Sequence, residues 1–164
     1  LPILFFTEHD VLYHRSHFEF TPPHDHIFYY NSNVWKWQLG STKAIRHDRM
    51  LSLSNLCVNR ELALNHYKII QGKINELGED AFNSKEPAIA RNWGYEPGTK
   101  SKKRGGLTDE QFDTWESEYP NIDIRHDKSF SQPKVTLDSF RHPPKWWKEI
   151  KFSEIIGWNL YDLW

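Results

Sequence analysis

This sequence has little cysteine, no long apolar run and almost no net charge. The 164 residues contain one cysteine, Cys57, which excludes a disulfide framework, and its apolar neighbours favour a buried thiol over a reactive one. No apolar run approaches the roughly 20 residues that span a bilayer. With 21 basic and 22 acidic residues, general nucleic-acid binding has no electrostatic basis. We therefore expect a soluble, cytoplasmic protein with one domain over residues 1–164.

Aromatic residues are abundant in this otherwise hydrophilic chain. Eight Trp, seven Tyr and ten Phe make up 15% of the sequence, whereas aliphatic residues are sparse. Aromatic rings must then fill much of the core, and any surplus can line a binding face, because flat rings stack on sugars, bases and apolar ligands.

An acidic triplet with a central histidine follows the first apolar run. Residues 3–6 read as a buried strand, and Glu8, His9 and Asp10 come directly after it. Strand alternation would place Glu8 and Asp10 on one face and His9 on the other. Two carboxylates could then converge on one divalent cation, or on a cation and a sugar hydroxyl.

Strand and helix patterns follow along the chain. Apolar and aromatic runs predict strands over residues 27–30, 34–39, 43–46 and 122–127 and an extended segment over 50–58. In the second of these strands Trp35, Trp37 and Leu39 share one face. Asn59 is a good N-cap for a helix that runs to Leu77 and stops at Gly78, with apolar residues at three- and four-residue spacing.

A second helix is predicted from a capping box. Thr108 is its N-cap, Gln111 closes the box, and the helix ends before Pro120. The glycine- and lysine-rich tract 98–106 precedes it in a long irregular stretch, which is usually functional or disordered. These elements predict an α/β fold in which helices pack on a mixed sheet.

The order of these elements resembles the carboxyl-terminal part of GT-A-type glycosyltransferases, particularly the family 2-like enzymes of bacteria and phages. The resemblance rests on the strand before Glu8-His9-Asp10, the aromatic strands, the strand-to-helix element over 51–67 and the late Ile124-Arg125-His126. It implies a partial catalytic domain, because family members begin with strand-helix-strand units that bind the nucleotide. An amino-terminal region or a partner chain would complete the donor site.

The resemblance also implies roles for the acidic motif. Asp10 would be the principal ligand of Mn²⁺ or Mg²⁺, and His126 the late ligand. Glu8 would contact the metal or the ribose of the nucleotide-sugar donor. The family commonly has two or three aspartates where this chain has Glu-His-Asp, so whether His9 or Glu8 is a ligand stays open. Carboxylates with one imidazole suit Mn²⁺, which would neutralise the departing diphosphate.

An inverting transferase also needs a carboxylate base to deprotonate the acceptor hydroxyl. The candidates are Glu96, Asp48 and Glu116. Glu96 is preferred, since its aromatic neighbours could raise its pKa and the basic tract follows it directly.

Two further groups of residues are candidates for substrate binding. Lys102, Lys103 and Arg104 could close over the diphosphate as a lid that excludes water, or form a solvated linker. Trp35 and Trp37 could stack an acceptor sugar or fill the core between sheet and helix.

Two other functions stay open. A metal-dependent hydrolase is favoured by the number of histidines, because His14, His17, His24 and His26 supply more imidazole than a transferase needs, and imidazole suits Zn, Fe or Ni. A noncatalytic carbohydrate-binding module is the third possibility, in which the tryptophans bind glycan and the acidic triplet is structural.

Overall fold

A computed structural model describes residues 2–48, 51–80, 97, 112–126, 137 and 145–159. In this part of the chain, nine strands and one long helix form a mixed α/β structure that is mostly strand. The strands are β1 (Ile3–Phe5), β2 (Val11–Leu12), β3 (Phe28–Asn31), β4 (Val34–Gln38), β5 (Lys43–His47), β6 (Leu56–Asn59), β7 (Phe112–Trp115), β8 (Asn121–Arg125) and β9 (Trp147–Lys151). The helix α1 spans Arg60–Leu77.

The contacts group the chain into two compact units. The first unit comprises residues 1–6, 22–30 and 51–114, and the second comprises 7–21, 31–50 and 115–164. Each unit is built around one sheet, with strand order β1-β6-β3-β7 in the first and β2-β8-β4-β5-β9 in the second.

The first sheet packs against helix α1. Strands β1 and β3 both pair antiparallel with β6, and the buried residues Phe28, Tyr30, Leu56 and Val58 form a cluster with Ala63 of the helix. Apolar residues at helical spacing explain why this face of α1 is buried.

The predicted helix bounds are confirmed. The side chain of Asn59 accepts hydrogen bonds from the backbone N–H groups of Glu61 and Leu62, and Gly78 ends the helix with φ +80°. An asparagine N-cap and a glycine at positive φ are the local signals that fix the two ends of a helix. Local signals at its two ends therefore fix the span of α1, the helix in which His66 is a buried residue.

The second sheet is mixed. Strand β8 lies parallel to β4 and antiparallel to β2, and β5 pairs antiparallel with β4 and β9. One face carries the core, which contains Trp37, Ala44, Ile122, Phe152 and Ile155. The predicted alternation of strand β4 is confirmed for Trp35 and Trp37, because both belong to this core while Lys36 lies on the opposite face beside Asp123.

The second predicted helix is wrong over the residues that the structure describes. Phe112–Trp115 is a strand beside β3, whereas Thr108 and Gln111 of the expected capping box lie outside the described residues. Aromatic and β-branched residues suit a pleated sheet, and Phe112 contacts the ring of Tyr30 edge-on at 6.5 Å between centroids. Pairing with a neighbouring strand therefore overrides the local helix signal.

Strand β9 was not predicted, because two tryptophans and two prolines in residues 143–147 obscure its alternation. The described residues contain no helix with the length and apolar character needed to cross a membrane.

Candidate metal centre

The acidic triplet lies in a turn rather than at the end of a strand. Strand β1 ends at Phe5, residues 9 and 10 form a turn, and the backbone N–H of Val11 donates to the carbonyl oxygen of Glu8 at 3.4 Å. The expected strand alternation, with His9 opposite to Asp10, is therefore wrong. A turn removes the constraint that sends successive side chains to opposite faces, so that His9 and Asp10 can reach the same point.

Strand pairing brings His126 to this turn. Strands β2 and β8 are antiparallel, with Val11 opposite Asp123, so the residues before β2 lie beside the residues after β8. The backbone N–H of Ile124 donates to the carbonyl oxygen of Asp10 at 2.8 Å, which continues the ladder past the end of β2. His126 follows two residues later and faces the triplet across this ladder.

His9, Asp10 and His126 each offer one ligand atom, and these atoms lie within 4.8 Å of one another. Three ligand atoms that bind one divalent cation at about 2.1–2.2 Å lie roughly 3.0–3.7 Å from one another. Each of the three side chains therefore needs to move by no more than about 1 Å to share a cation. Two imidazoles and a carboxylate form a donor set that suits Mn, Fe or Zn.

Three carboxyl groups crowd this edge of the second sheet. Burial, followed by the negative charges of Asp10 and Asp123, raises the pKa of Glu8. Burial also raises the pKa of Asp123, against the opposing effect of Arg125 and Lys36. A bound cation would relieve this repulsion, because it favours the ionised form of every nearby carboxylate.

Two basic side chains share the same face of the sheet. Arg125 forms an ion pair with Asp123, two residues earlier on β8, and Lys36 lies opposite Asp123 on β4. Burial, together with the charge of Arg125, lowers the pKa of Lys36. Arg125 directly precedes the candidate ligand His126, and its ion pair with Asp123 joins two residues of β8.

Tyr13 closes the edge of the cluster. Its hydroxyl oxygen accepts a hydrogen bond from the backbone N–H of Glu8 at 2.9 Å. Burial, opposed by this hydrogen bond and assisted by nearby carboxylates, raises the pKa of Tyr13 to about 12. The phenol stays protonated at neutral pH and anchors the turn as a neutral group.

Among the other predicted residues, Asp48 and the two tryptophans lie in described regions. Asp48 forms an ion pair with Lys148 at 3.1 Å, next to the β5–β9 pairing, and is not part of the metal group. Trp37 is 2% exposed and stacks on Phe152 at 4.0 Å, and its indole N–H donates to the carbonyl of Ser41. That leaves no ring face of Trp37 for a sugar. Trp35 packs half-buried against the same core.

Glu116, the third candidate base, pairs with Arg46. The preferred base and the proposed lid are outside the described residues; these are Glu96, Lys102, Lys103 and Arg104.

The sequence did not point to a buried polar network in the second unit. The imidazole Nδ1 of His17 lies 3.1 Å from the side-chain amide nitrogens of both Asn31 and Asn121. Asn31 also donates to the hydroxyl of Ser117 at 2.8 Å and accepts from the Ser117 backbone N–H. These four residues are separated by up to 104 positions, and the only hint in the sequence was polar side chains within apolar segments.

No family model, curated protein or solved structure matches this chain.

Proposed function

We propose that this chain is a metal-dependent glycosyltransferase that transfers a sugar from a nucleotide-diphosphate donor to a hydroxyl acceptor. The observation that supports the proposal is the convergence of His9, Asp10 and His126, which two separate parts of the sequence contribute. The GT-A resemblance predicts this combination of an early acidic motif with a late histidine.

The charges around the triplet also support an anionic leaving group. Glu8, Asp10 and Asp123 face two cations, Arg125 and Lys36, which leaves one net negative charge when all five groups are ionised. A divalent cation would reverse the sign of this balance and stabilise the negative charge that develops on a departing diphosphate. In this proposal Asp10 and the two histidines hold the cation, while Arg125 positions His126.

The remaining roles follow the resemblance. Glu96 is the proposed base that takes the proton from the acceptor hydroxyl, and Lys102, Lys103 and Arg104 are the proposed lid over the diphosphate. Asp48 is the weaker candidate for the base, because its carboxylate is already paired with Lys148.

Metal binding is the first test. Titration with Mn²⁺, followed by the paramagnetic broadening of NMR signals, should affect His9, Asp10 and His126 first. Asp10→Asn and His126→Gln should each weaken Mn²⁺ binding by at least about tenfold. Asp80→Asn and His26→Gln are matched controls on exposed residues and should leave binding unchanged. Equal broadening throughout the chain would contradict the assignment.

Diphosphate binding is the second test, and it separates the transferase from any other metal protein. Calorimetry should detect binding of inorganic diphosphate only in the presence of Mn²⁺ or Mg²⁺, and Asp10→Asn should abolish it. Uridine, guanosine and cytidine diphosphates should bind this chain no more tightly than inorganic diphosphate, because the resemblance assigns the contacts to base and ribose to an amino-terminal region. Transfer is then assayed with the corresponding diphosphate sugars. Mn²⁺ binding without any diphosphate binding would overturn the transferase proposal and leave the metal site intact.

One observation favours a hydrolase as the second candidate. A site with two imidazoles and one carboxylate is common for Zn or Fe, which activate water. Among the described residues, the larger histidine set of His14, His17, His24 and His26 contributes to no group of three or more potential metal ligands. Zn retained in a 1:1 ratio through purification, together with metal-dependent cleavage of p-nitrophenyl esters, would favour this reading.

A further inference from the structure

The second unit contains a cleft that none of the proposed roles uses. Its volume is about 540 Å³, within the range of small-molecule sites. Its lining combines aromatic rings with charged and hydroxyl-bearing side chains, namely His14, Arg15, Ser16, Glu19, Glu118, Tyr119 and Gly157.

Two aromatic rings in contact, tilted by 53° to each other, form one wall of this cleft. The imidazole of His14 lies 4.5 Å from the ring of Tyr119, and Trp158 contacts His14 edge-on at 6.0 Å. The indole N–H of Trp158 donates to the carbonyl of Pro120, which fixes its ring. Gly157 makes room for Tyr119, because a Cβ atom at position 157 would lie 2.1 Å from a carbon of the Tyr119 ring. The wall is therefore held in place before any ligand arrives.

Hydrogen bonds fix the floor. The imidazole Nδ1 of His14 accepts from the backbone N–H of Ser16 at 3.2 Å, so the neutral ring carries its proton on Nε2. The Ser16 hydroxyl accepts from the backbone N–H of Tyr119, and Asn121 accepts from the backbone N–H of His14. The wall formed by His14 and Tyr119 is thereby tied to Asn121 of the buried polar network.

The charges of the cleft disfavour anions. Arg15 pairs with Glu19 at 3.3 Å, and Glu118 adds a further carboxylate, so these three side chains together carry one net negative charge. Phosphate or carboxylate ligands would be repelled. Such a lining suits a neutral ligand with many hydroxyls. The planar carboxylates accept pairs of hydrogen bonds from hydroxyl groups and the guanidinium donates them, while an aromatic ring packs on the C–H face of the ligand.

We propose that this cleft binds a neutral saccharide and that this saccharide is the acceptor of the transfer. His14 follows Asp10 by four residues, so their Cα atoms are at most about 14 Å apart. The cleft thus lies in the same unit as the candidate metal centre, with no more than about 14 Å between the Cα atoms of these two residues. The acceptor role rests on the proposed transferase function, whereas saccharide binding rests on the cleft alone.

The test measures saccharide binding to the whole chain without metal. In EDTA, NMR titration with glucose, galactose, maltose and cellobiose should shift signals of His14, Ser16 and Tyr119. Tyr119→Ala should weaken binding by about tenfold, whereas Tyr119→Phe should keep it within about twofold, because the ring supplies the contact. Glu118→Gln should weaken binding, and Glu76→Gln on the exposed face of α1 is the matched control.

Three results would overturn the proposal. They are no shift with any saccharide at concentrations up to tens of millimolar, binding of spermidine or inorganic phosphate in place of saccharides, and saccharide binding that Tyr119→Ala leaves unchanged. Circular dichroism establishes that the variants are folded. Because no metal is present, failure here leaves the diphosphate test valid, and failure of the diphosphate test leaves saccharide binding without the acceptor role.

Discussion

The buried asparagines of the two units differ in how far away in the sequence their hydrogen-bond partners lie. In the first unit, Asn59 caps the helix that follows it, and the side chain of Asn55 donates to Ser52, three residues earlier. In the second unit, Asn31, His17 and Asn121 bond to groups that lie 14 to 104 positions away in the sequence. A hydrogen bond between neighbouring residues can form when their own helix or turn forms. A hydrogen bond between segments far apart in the sequence forms only when the whole unit is assembled.

The unit with the long-range hydrogen bonds is also the unit that contains the candidate sites. The candidate metal centre and the saccharide cleft both belong to the second unit, and both depend on residues from its separate segments. A network that fixes side chains across segments is what a binding site needs, because its geometry must be set before the ligand binds. Substitutions in this network should therefore cost more than those at the helix cap in the first unit.

The largest effect is expected at Asn31. Asn31→Ala removes the acceptor of the backbone N–H groups of Asn33 and Ser117 and the donor to His17. Leaving these buried groups unsatisfied should lower the free energy of unfolding by roughly 3–5 kcal/mol. Urea unfolding measures this, with Asn75→Ala on the exposed face of α1 as the control, expected to change it by less than about 0.5 kcal/mol. A loss at Asn31 no larger than that at Asn75 would contradict the comparison.

The next effect concerns pH. Burial lowers the pKa of His17 from 6.5 to about 4 in the folded chain. Between these values the unfolded chain binds a proton that the folded chain does not. Stability is therefore fully present above pH 6.5 and falls as the pH drops towards 4, by roughly 3 kcal/mol.

Unfolding by urea at pH 7 and at pH 4.5 should show this loss. His17→Asn, which keeps an acceptor near the position of Nδ1, should make the difference between the two pH values much smaller. His26→Gln, on an exposed loop of the first unit, should leave the full difference in place. If His17→Asn retains the full pH dependence, another group causes it.

Glycine substitutions come third. Gly157 and Gly40 both have positive φ, of +86° and +82°, but only at Gly157 would a Cβ atom meet the Tyr119 ring. Gly157→Ala should cost about 2–3 kcal/mol and Gly40→Ala about 1 kcal/mol. Gly72→Ala, in the interior of α1 with open space around it, should stabilise by about 0.5–1 kcal/mol. Equal costs at Gly157 and Gly40 in thermal unfolding would mean that Tyr119 moves away freely.

The smallest effect is expected at the helix cap of the first unit. Asn59→Ala removes the acceptor for the backbone N–H groups of Glu61 and Leu62 and should cost about 1 kcal/mol. Asn59→Ser retains a capping oxygen and should cost a few tenths of a kcal/mol. Urea unfolding of both variants gives the comparison. A cost at Asn59 above that at Asn31 would reverse the order proposed for the two units.

Features that arise within one helix or strand follow directly from the local sequence. The bounds of α1 follow from Asn59 and Gly78, because caps bind groups two to four residues away, and the faces of β4 follow from strict alternation. The buried position of Cys57, where burial raises the thiol pKa to about 12, was also predictable from its apolar neighbours.

Contacts between distant residues depend on the assembled tertiary fold. The sequence named His9, Asp10 and His126 as candidate ligands through a family resemblance, but their proximity depends on the turn at residues 9–10 and on the pairing of β2 with β8. Phe112–Trp115 became a strand rather than a helix for the same reason. Strand pairing and buried networks join residues about a hundred positions apart, and their stability comes from burial in the assembled unit, which no local sequence pattern encodes.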